Sequence, residues 1–415
     1  MRAEISKFIK NNDIIEVGEI MNSDKKINIG IFNDSFFPMA DGVISVVDNY
    51  ARRLNKISNV TVFVPYGKKK NFDDTTLPYK VVRCKSIRIP FYDYVLPIPF
   101  LDFKFKKALK KSNLDIVHIH SPFGIGAAGI KYSKKNRIPS IATMHTQFKK
   151  DIKKVVDNKI IIEKVNKKII KTFNRCDVCR AVNAEVARIF YEDYGYKTLP
   201  GILGNATDLK PVNSVRKANN YINKKHNIKS NELVFLFVGR INTLKNILFI
   251  VDSLKILSEK KPKLKFKMLF VGSGNDEDKL IKCIKKNKLQ DKVILCGKIM
   301  DREELSYYYS RADLFLFPST YDASSIVQIE AASQKTPTIF LKNTATASNV
   351  TDNINGFLSD YSVLGYANKI IEVIENKKLY KKVCENAFLD LYKNWDDTIL
   401  EVYNIYLNMI KENKK

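Results

Sequence analysis

The sequence predicts an α/β protein of two doubly wound, parallel-sheet domains facing each other across a cleft. Three observations carry that expectation. The chain has 415 residues, more than one ordinary core, so two or three domains of about 100–200 residues are expected. Short β-branched or aromatic runs recur, each followed by roughly ten to twenty residues of helical pattern, the alternation of a parallel sheet covered on both faces. The series then breaks and restarts near 209–231.

In chain order, strands are expected at 27–32, 116–120 and 140–144, then at 233–238, 267–271, 292–296, 314–317 and 338–341. The break between the two groups is polar, basic and poor in apolar periodicity, and LVFLFV follows it. Residues 1–26 are read as an N-terminal extension and 27–208 as a first Rossmann-like domain. Residues 209–229 are read as a linker and 230–385 as a second Rossmann-like domain. Residues 386–415 carry apolar residues at helical spacing, Trp395, Val402, Tyr406 and Met409 among them, suited to packing across both domains. Ligands of such sheets bind outside the carboxyl ends of the strands, so a shared cleft is the expected site.

Composition narrows the function classes. Hydrophobic residues make up 45% and mean hydropathy is −0.22, with no run of 18 apolar residues that would span a bilayer. Glu4, Asp13, Glu16 and Glu19 stand where a signal peptide needs its apolar stretch, so a cytoplasmic protein is expected. The six cysteines lack disulfide-scaffold spacing, and the lone pair Cys176 and Cys179 is read as structural, so no metal site is expected. Net charge is +27, which favours anionic partners. The lysines lie on amphipathic runs, such as 101–113 with Lys104, Lys106, Lys107, Lys110 and Lys111, and 147–173 with its lysine pairs. That pattern suits a helix lying on an anionic membrane surface, whereas nucleic acid would call for a recognisable basic module, which is not found. The Pro-rich, aromatic stretch 88–103 beside them is a candidate seat for a lipid tail or a buried loop.

Four clusters fall where strands should end. FNDSFFPMADGVISVV places Gly42 at a helix start, where backbone N–H groups can approach a phosphate or sugar. HIHSPFGIG and TMHTQF place His118, His120 and His145 at or beyond strand ends; His118 reads as a core residue and His145 as better placed to touch ligand. FVGRINTLKNI ends a strand at Gly239 and sets Arg240 and Lys245 on one loop, a natural diphosphate clamp, and VGSGND adds a glycine turn at Gly272. Finally, LFLFPSTYDASSIVQIEAAS runs from a strand through Asp322 into a helix; Ser325 to Gln328 fits a capping box, and Glu330 in the second turn is a carboxylate among apolar neighbours that needs partners.

Together these residues resemble the retaining glycosyltransferases of family 4, which have the GT-B fold. The likeness runs over about 27–410: the first glycine loop, HxHxP, the HT step, GR(x4)K, the G-x-G turn, Glu330 behind a Pro-Ser strand end, and NGFL at 355–358. The resemblance implies that Glu330 binds the ribose of a nucleotide sugar. Arg240 and Lys245 would hold its diphosphate with backbone N–H groups near Ser325 and Ile326, Gly42 would admit the same phosphates, and His145 would contact the sugar near its reacting carbon. It implies donor contacts at Gly239 and Gly272, no metal and no cofactor, and a front-face route that retains configuration. One departure concerns the first acidic residue of the motif, which is Asp322, and the usual Gly-Phe-Gly, which is Ala-Ser-Ser here. This variant, with the basic first half, looks most like members that glucosylate diacylglycerol or another membrane lipid from a UDP-sugar, with His120 and the five lysines toward the acceptor and the membrane. The alternatives are a polyprenol-linked or protein-bound glycan acceptor, or a catalytically weak partner subunit.

Overall fold

The computed structural model describes residues 26–414 apart from 40, 68–71, 89–94, 146–147, 150–151 and 153–157. Residues 1–25 of the expected N-terminal extension, residues 89–94 of the Pro-rich stretch, and Lys150, Lys153 and Lys154 lie outside the described residues. The first domain runs β1 (Asn28–Phe32), α1 (Gly42–Ile57), β2 (Asn59–Pro65), β3 (Lys80–Cys84), a hairpin of β4 (Ser86–Arg88) and β5 (Val95–Pro97), α2 (Phe103–Lys111), β6 (Ile116–Ile119), α3 (Gly124–Asn136), β7 (Ser140–Met144), α4 (Lys159–Phe173), β8 (Val178–Ala181), α5 (Ala184–Arg188) and β9 (Gly201–Ile202). Seven strands form one parallel sheet in the order β3-β2-β1-β6-β7-β8-β9. Strands β6 and β7 are buried along their whole length, which is why they read as nearly continuous apolar runs rather than as alternating ones.

The second domain contains α6 (Val215–His226), β10 (Leu233–Val238), α7 (Ile247–Lys260), β11 (Phe266–Val271), α8 (Glu277–Lys286), β12 (Val293–Gly297), α9 (Arg302–Arg311), β13 (Leu314–Leu316), α10 (Ile326–Ser333), β14 (Thr338–Leu341), β15 (Phe357–Ser359), α11 (Val363–Glu375) and α12 (Lys377–Leu391). Its six strands are parallel in the order β12-β11-β10-β13-β14-β15. The strand order of each sheet reverses direction once, between β1 and β6 in the first and between β10 and β13 in the second. A crevice opens at such switch points, and the sequence clusters after β1, β6, β10 and β13 all lie there.

Two boundaries differ from the expectation. The 209–229 stretch, read as a linker, holds α6, capped by Ser214, with Ala218 and Ile222 buried and Ile222 part of the second domain's core. Its periodicity is hard to see because only those two positions are buried. The C-terminal segment is not one unit beginning at 386: α12 packs on the second domain through Val383, and α13 (Trp395–Asn413) returns to the first. Asn394 caps α13, its side chain accepting from Asp397 N at 2.9 Å, and Asp396 and Asp397 favour the positive helix end.

Trp395, 1% exposed, meets Tyr50 edge-on at 5.8 Å and shares a core with Val47, Val402 and Tyr406. The two chain crossings between the domains run side by side there: Thr207 N donates to Lys393 O (2.9 Å) and Trp395 N to Thr207 O (3.1 Å). Replacing Trp395 by alanine is expected to destabilise the first domain by about 3–5 kcal/mol, read as a lower urea midpoint.

Candidate active site

At the second domain's switch point, two backbone turns press together. Gly239 has φ +156° and Gly272 φ +138°, and a Cβ on Gly272 would lie 1.8 Å from the Gly239 carbonyl oxygen. Only glycine fits there. The chain then turns through Thr243–Lys245, and Asn246, at φ +56°, donates from Nδ2 to Pro318 O at 2.7 Å, tying the loop after β10 to the end of β13. Arg240 is exposed on that loop. Lys245 pairs with Asp322, whose second oxygen accepts from Ser319 Oγ at 2.6 Å. The cation and carboxylate that the sequence placed in separate motifs are thus partners.

Glu330 is 4% exposed and has the partners it needs. Its Oε1 accepts from Arg302 Nη2 at 2.7 Å and its Oε2 from Tyr309 Oη at 2.8 Å. Neither partner was singled out from the sequence. Ser325 is the N-cap of α10, with Ile326 as its first residue, but the expected capping box does not form. The Ser325 side chain makes no cap bond, and Gln328, which would reach back, is buried with its Oε1 unpartnered.

On the first domain, Asp41 caps α1 through Val43 N (2.6 Å), and a Cβ on Gly42 would meet nothing within 4 Å, so the loop leaves open space beside the helix start. His118 is the core residue expected, bonded to Tyr406 Oη (2.6 Å) and Thr143 Oγ1 (2.8 Å). His120 departs from expectation: it is 2% exposed and inside the protein, its Nδ1 at 2.9 Å from His145 Nε2, so it supports His145 rather than facing an acceptor. Burial is the chief cause holding the imidazoles neutral, with neighbouring histidines adding to it for His118 and His120. His118 and His145 fall to about 3, and His120 lies well below the ordinary range. Asp34, also unflagged, accepts from Ser121 Oγ, Phe123 N (3.1 Å) and Ile125 N (2.7 Å), fixing the loop after β6 to the loop after β1; burial pushes its pKa up.

The two domains touch where side-chain amides of the first meet backbone carbonyls of the second, and where Ala323 packs on the first domain's core. Asn183 Nδ2 donates to Ala323 O (2.7 Å) and Ala345 O (3.2 Å), and Asn205 Nδ2 to Ser324 O (3.4 Å). Ala323, Ser324 and Ser325 have no positive φ, which is why the segment does without glycines. Lys104, Lys106, Lys107, Lys110 and Lys111 are all exposed on α2, and Ile87, Leu96, Phe100, Leu101 and Phe103, on the hairpin and the start of α2, are exposed as well.

This arrangement, two facing sheets with glycine turns, cations and a paired carboxylate at one switch point, can be set against known proteins. The family model for Glycosyltransferase Family 4 matches residues 40–210, and that for Glycosyl transferases group 1 matches 219–390, so the two take in both domains. The chain belongs to glycosyltransferase family 4. This glycosyltransferase is 26% identical over 401 residues to the alpha-monoglucosyldiacylglycerol synthase of Acholeplasma laidlawii, covering 88% of this chain and 97% of that protein. It is 25% identical over 401 residues to the enzyme of the same name from Streptococcus pneumoniae, covering 90% and 86%. Among solved structures it superposes on Anabaena Alr3699/HepE in complex with UDP and glucose with a TM-score of 0.70, at 16% identity, covering 91% of this chain and 99% of that one. Sucrose-phosphate synthase from Thermosynechococcus elongatus gives 0.72 at 17% identity, covering 93% and 100%. The fold is GT-B.

Two outcomes follow for the glycosyltransferase. Gly272→Ala should lower the second domain's melting temperature in calorimetry, because the added methyl would lie 1.8 Å from the Gly239 carbonyl oxygen. Stability should fall as pH drops below about 6.5, since the unfolded chain then binds protons that the three buried imidazoles refuse until far lower pH. Each contributes up to about 1.4 kcal/mol per pH unit. Urea unfolding of His120→Asn between pH 7 and 5.5 should show a shallower slope by up to one proton.

Proposed function

We propose that this glycosyltransferase moves a hexose, glucose in the first instance, from a UDP-sugar to a membrane lipid such as diacylglycerol, with retention of configuration. The observation that carries the reading is the conjunction of a nucleotide-type switch-point site with the lysine and aromatic face of α2; two relatives that match most of the chain are alpha-monoglucosyldiacylglycerol synthases by name.

In this reading the diphosphate lies against the glycine turns at Gly239 and Gly272 and the start of α10 at Ser325 and Ile326, with Gly42 leaving room from the other domain. The hard step is departure of a nucleoside diphosphate, whose charge Arg240 and Lys245 would meet. Phosphate would compete with Asp322 for Lys245, freeing that carboxylate for a hydroxyl of the sugar. His145, neutral and fixed by His120, would contact the sugar near the reacting carbon. Glu330 would take the ribose hydroxyls. Attack from the face the leaving group departs preserves configuration, and no metal or other cofactor is called on, because the chain's own cations supply the charge. Domain closure would keep water from the donor.

The acceptor side rests on α2 and the hairpin. Asp102, buried, accepts from Phe105 N (3.1 Å) and Lys85 N (2.8 Å), fixing α2 to the sheet edge. Phe103 is 79% exposed with Lys106 Nζ 4.5 Å from its ring centre, so an apolar tip sits beside a cation. Aromatic side chains would enter the headgroup boundary while each lysine adds about 1 kcal/mol near an anionic surface. Among the described residues no helix is long and apolar enough to cross a membrane, so association from the cytoplasmic face would be peripheral.

Incubation with UDP-glucose, UDP-galactose and GDP-mannose and a lipid extract containing diacylglycerol should yield glucosyldiacylglycerol by mass spectrometry. Glu330→Ala should lower kcat/KM by roughly a hundredfold or more. Turnover confined to polyprenol phosphate acceptors, or no turnover with any donor, would refute the reading. Flotation with phosphatidylglycerol vesicles should weaken in a variant with Phe100 and Phe103 changed to serine and the five lysines to glutamine; binding indifferent to phosphatidylglycerol content would refute the membrane role.

A further inference from the structure

Both oxygens of Glu330 are held by one helix. Arg302 opens α9 and Tyr309 lies two turns on, so the two side chains share a face of the helix and reach the carboxylate together. Tyr309 is wholly buried, while the Arg302 side chain is 42% exposed at the edge of the cleft. Arg302 is itself held, since its Nη2 also pairs with Asp208 and lies 3.5 Å from Thr207 Oγ1. Those two residues belong to the crossing that Thr207 makes beside Lys393 and Trp395.

A carboxylate offers about four acceptor positions on its two oxygens. Arg302 and Tyr309 take one on each, which leaves one on each for a pair of adjacent hydroxyls. The side chain cannot follow Arg302 outward, because Tyr309 holds its other oxygen, and unpairing a buried carboxylate is costly. Arg302 therefore supports the carboxylate; it does not block it.

We propose that Arg302, anchored on Asp208, and Tyr309 are positioning residues that set Glu330 to receive the vicinal diol of a nucleotide's ribose. The inference rests on the reading of Glu330 as the ribose site. It adds the source of its geometry, which lies partly at the crossing between domains.

The test uses the full-length protein and isothermal titration with UDP and GDP, each against its 2′-deoxy form. For the wild type, removing the 2′-hydroxyl should weaken binding about tenfold, the equivalent of about 1.4 kcal/mol. In Arg302→Gln and Tyr309→Phe that ratio should shrink toward one, with the KM for the sugar donor rising about tenfold and kcat changing less than about threefold. Arg302→Lys should restore part of the ratio. A merely structural role would lower thermal stability and leave the ratio intact, and that result, or tighter UDP binding by Arg302→Gln, overturns the inference. If Arg302→Gln does not fold, Asp208→Asn, which leaves the buried pair in place, decides: a reduced ratio supports the inference and an unchanged one overturns it. Glu330→Ala separates the two ideas. If it keeps the wild-type ratio, or if neither nucleotide binds the wild type, the ribose reading itself falls; if it collapses the ratio and Arg302→Gln does not, only the present inference falls.

Discussion

The cleft depends on two short stretches of backbone lying side by side. Thr207 bonds both to Lys393 O and to the Trp395 amide, so the outgoing and returning crossings form one joint. Trp395 then enters the first domain's core, and Arg302, one helix of the second domain, reaches the same joint through Asp208. Each sheet packs on its own hydrophobic core, and the joint links the two.

Electrostatic pairing inside the cleft follows a consistent pattern. The acidic groups of the loop and helix after β13 have cations or phenols as partners: Asp322 has Lys245, and Glu330 has Arg302 and Tyr309. The imidazoles, by contrast, are neutral and bonded to each other or to hydroxyls. In a site arranged so, an incoming anion would compete with these carboxylates for the cations rather than meet bare buried charge.

Much of this was legible in the sequence. Strands buried on both faces wrote themselves as unbroken apolar runs, and the loops at both switch points carried the glycines, cations and histidines expected there. Strand β2 was missed because a turn and another strand follow it, not a helix, which breaks the rhythm. Helix α6 was missed because it buries two residues only. Glu330 announced a need for partners, but Arg302 and Tyr309 stand 28 and 21 positions away, and no local spacing points to them. Asn183 and Asn205 act from the other domain on carbonyls 140 and 119 positions away, a relation that only the fold creates.

That last contact has an evolutionary side. Asn183 and Asn205 hold Ala323 and Ser324 by their carbonyl oxygens, which every amino acid possesses. Domain docking therefore rests largely on the backbone of the loop behind Asp322, with the Ala323 side chain packing on the first domain's core and Ser324 Oγ a further acceptor for Asn205. Substitutions there that keep the backbone path and a small side chain at 323 would leave these bonds in place, so the composition of the loop can drift while the two domains stay docked.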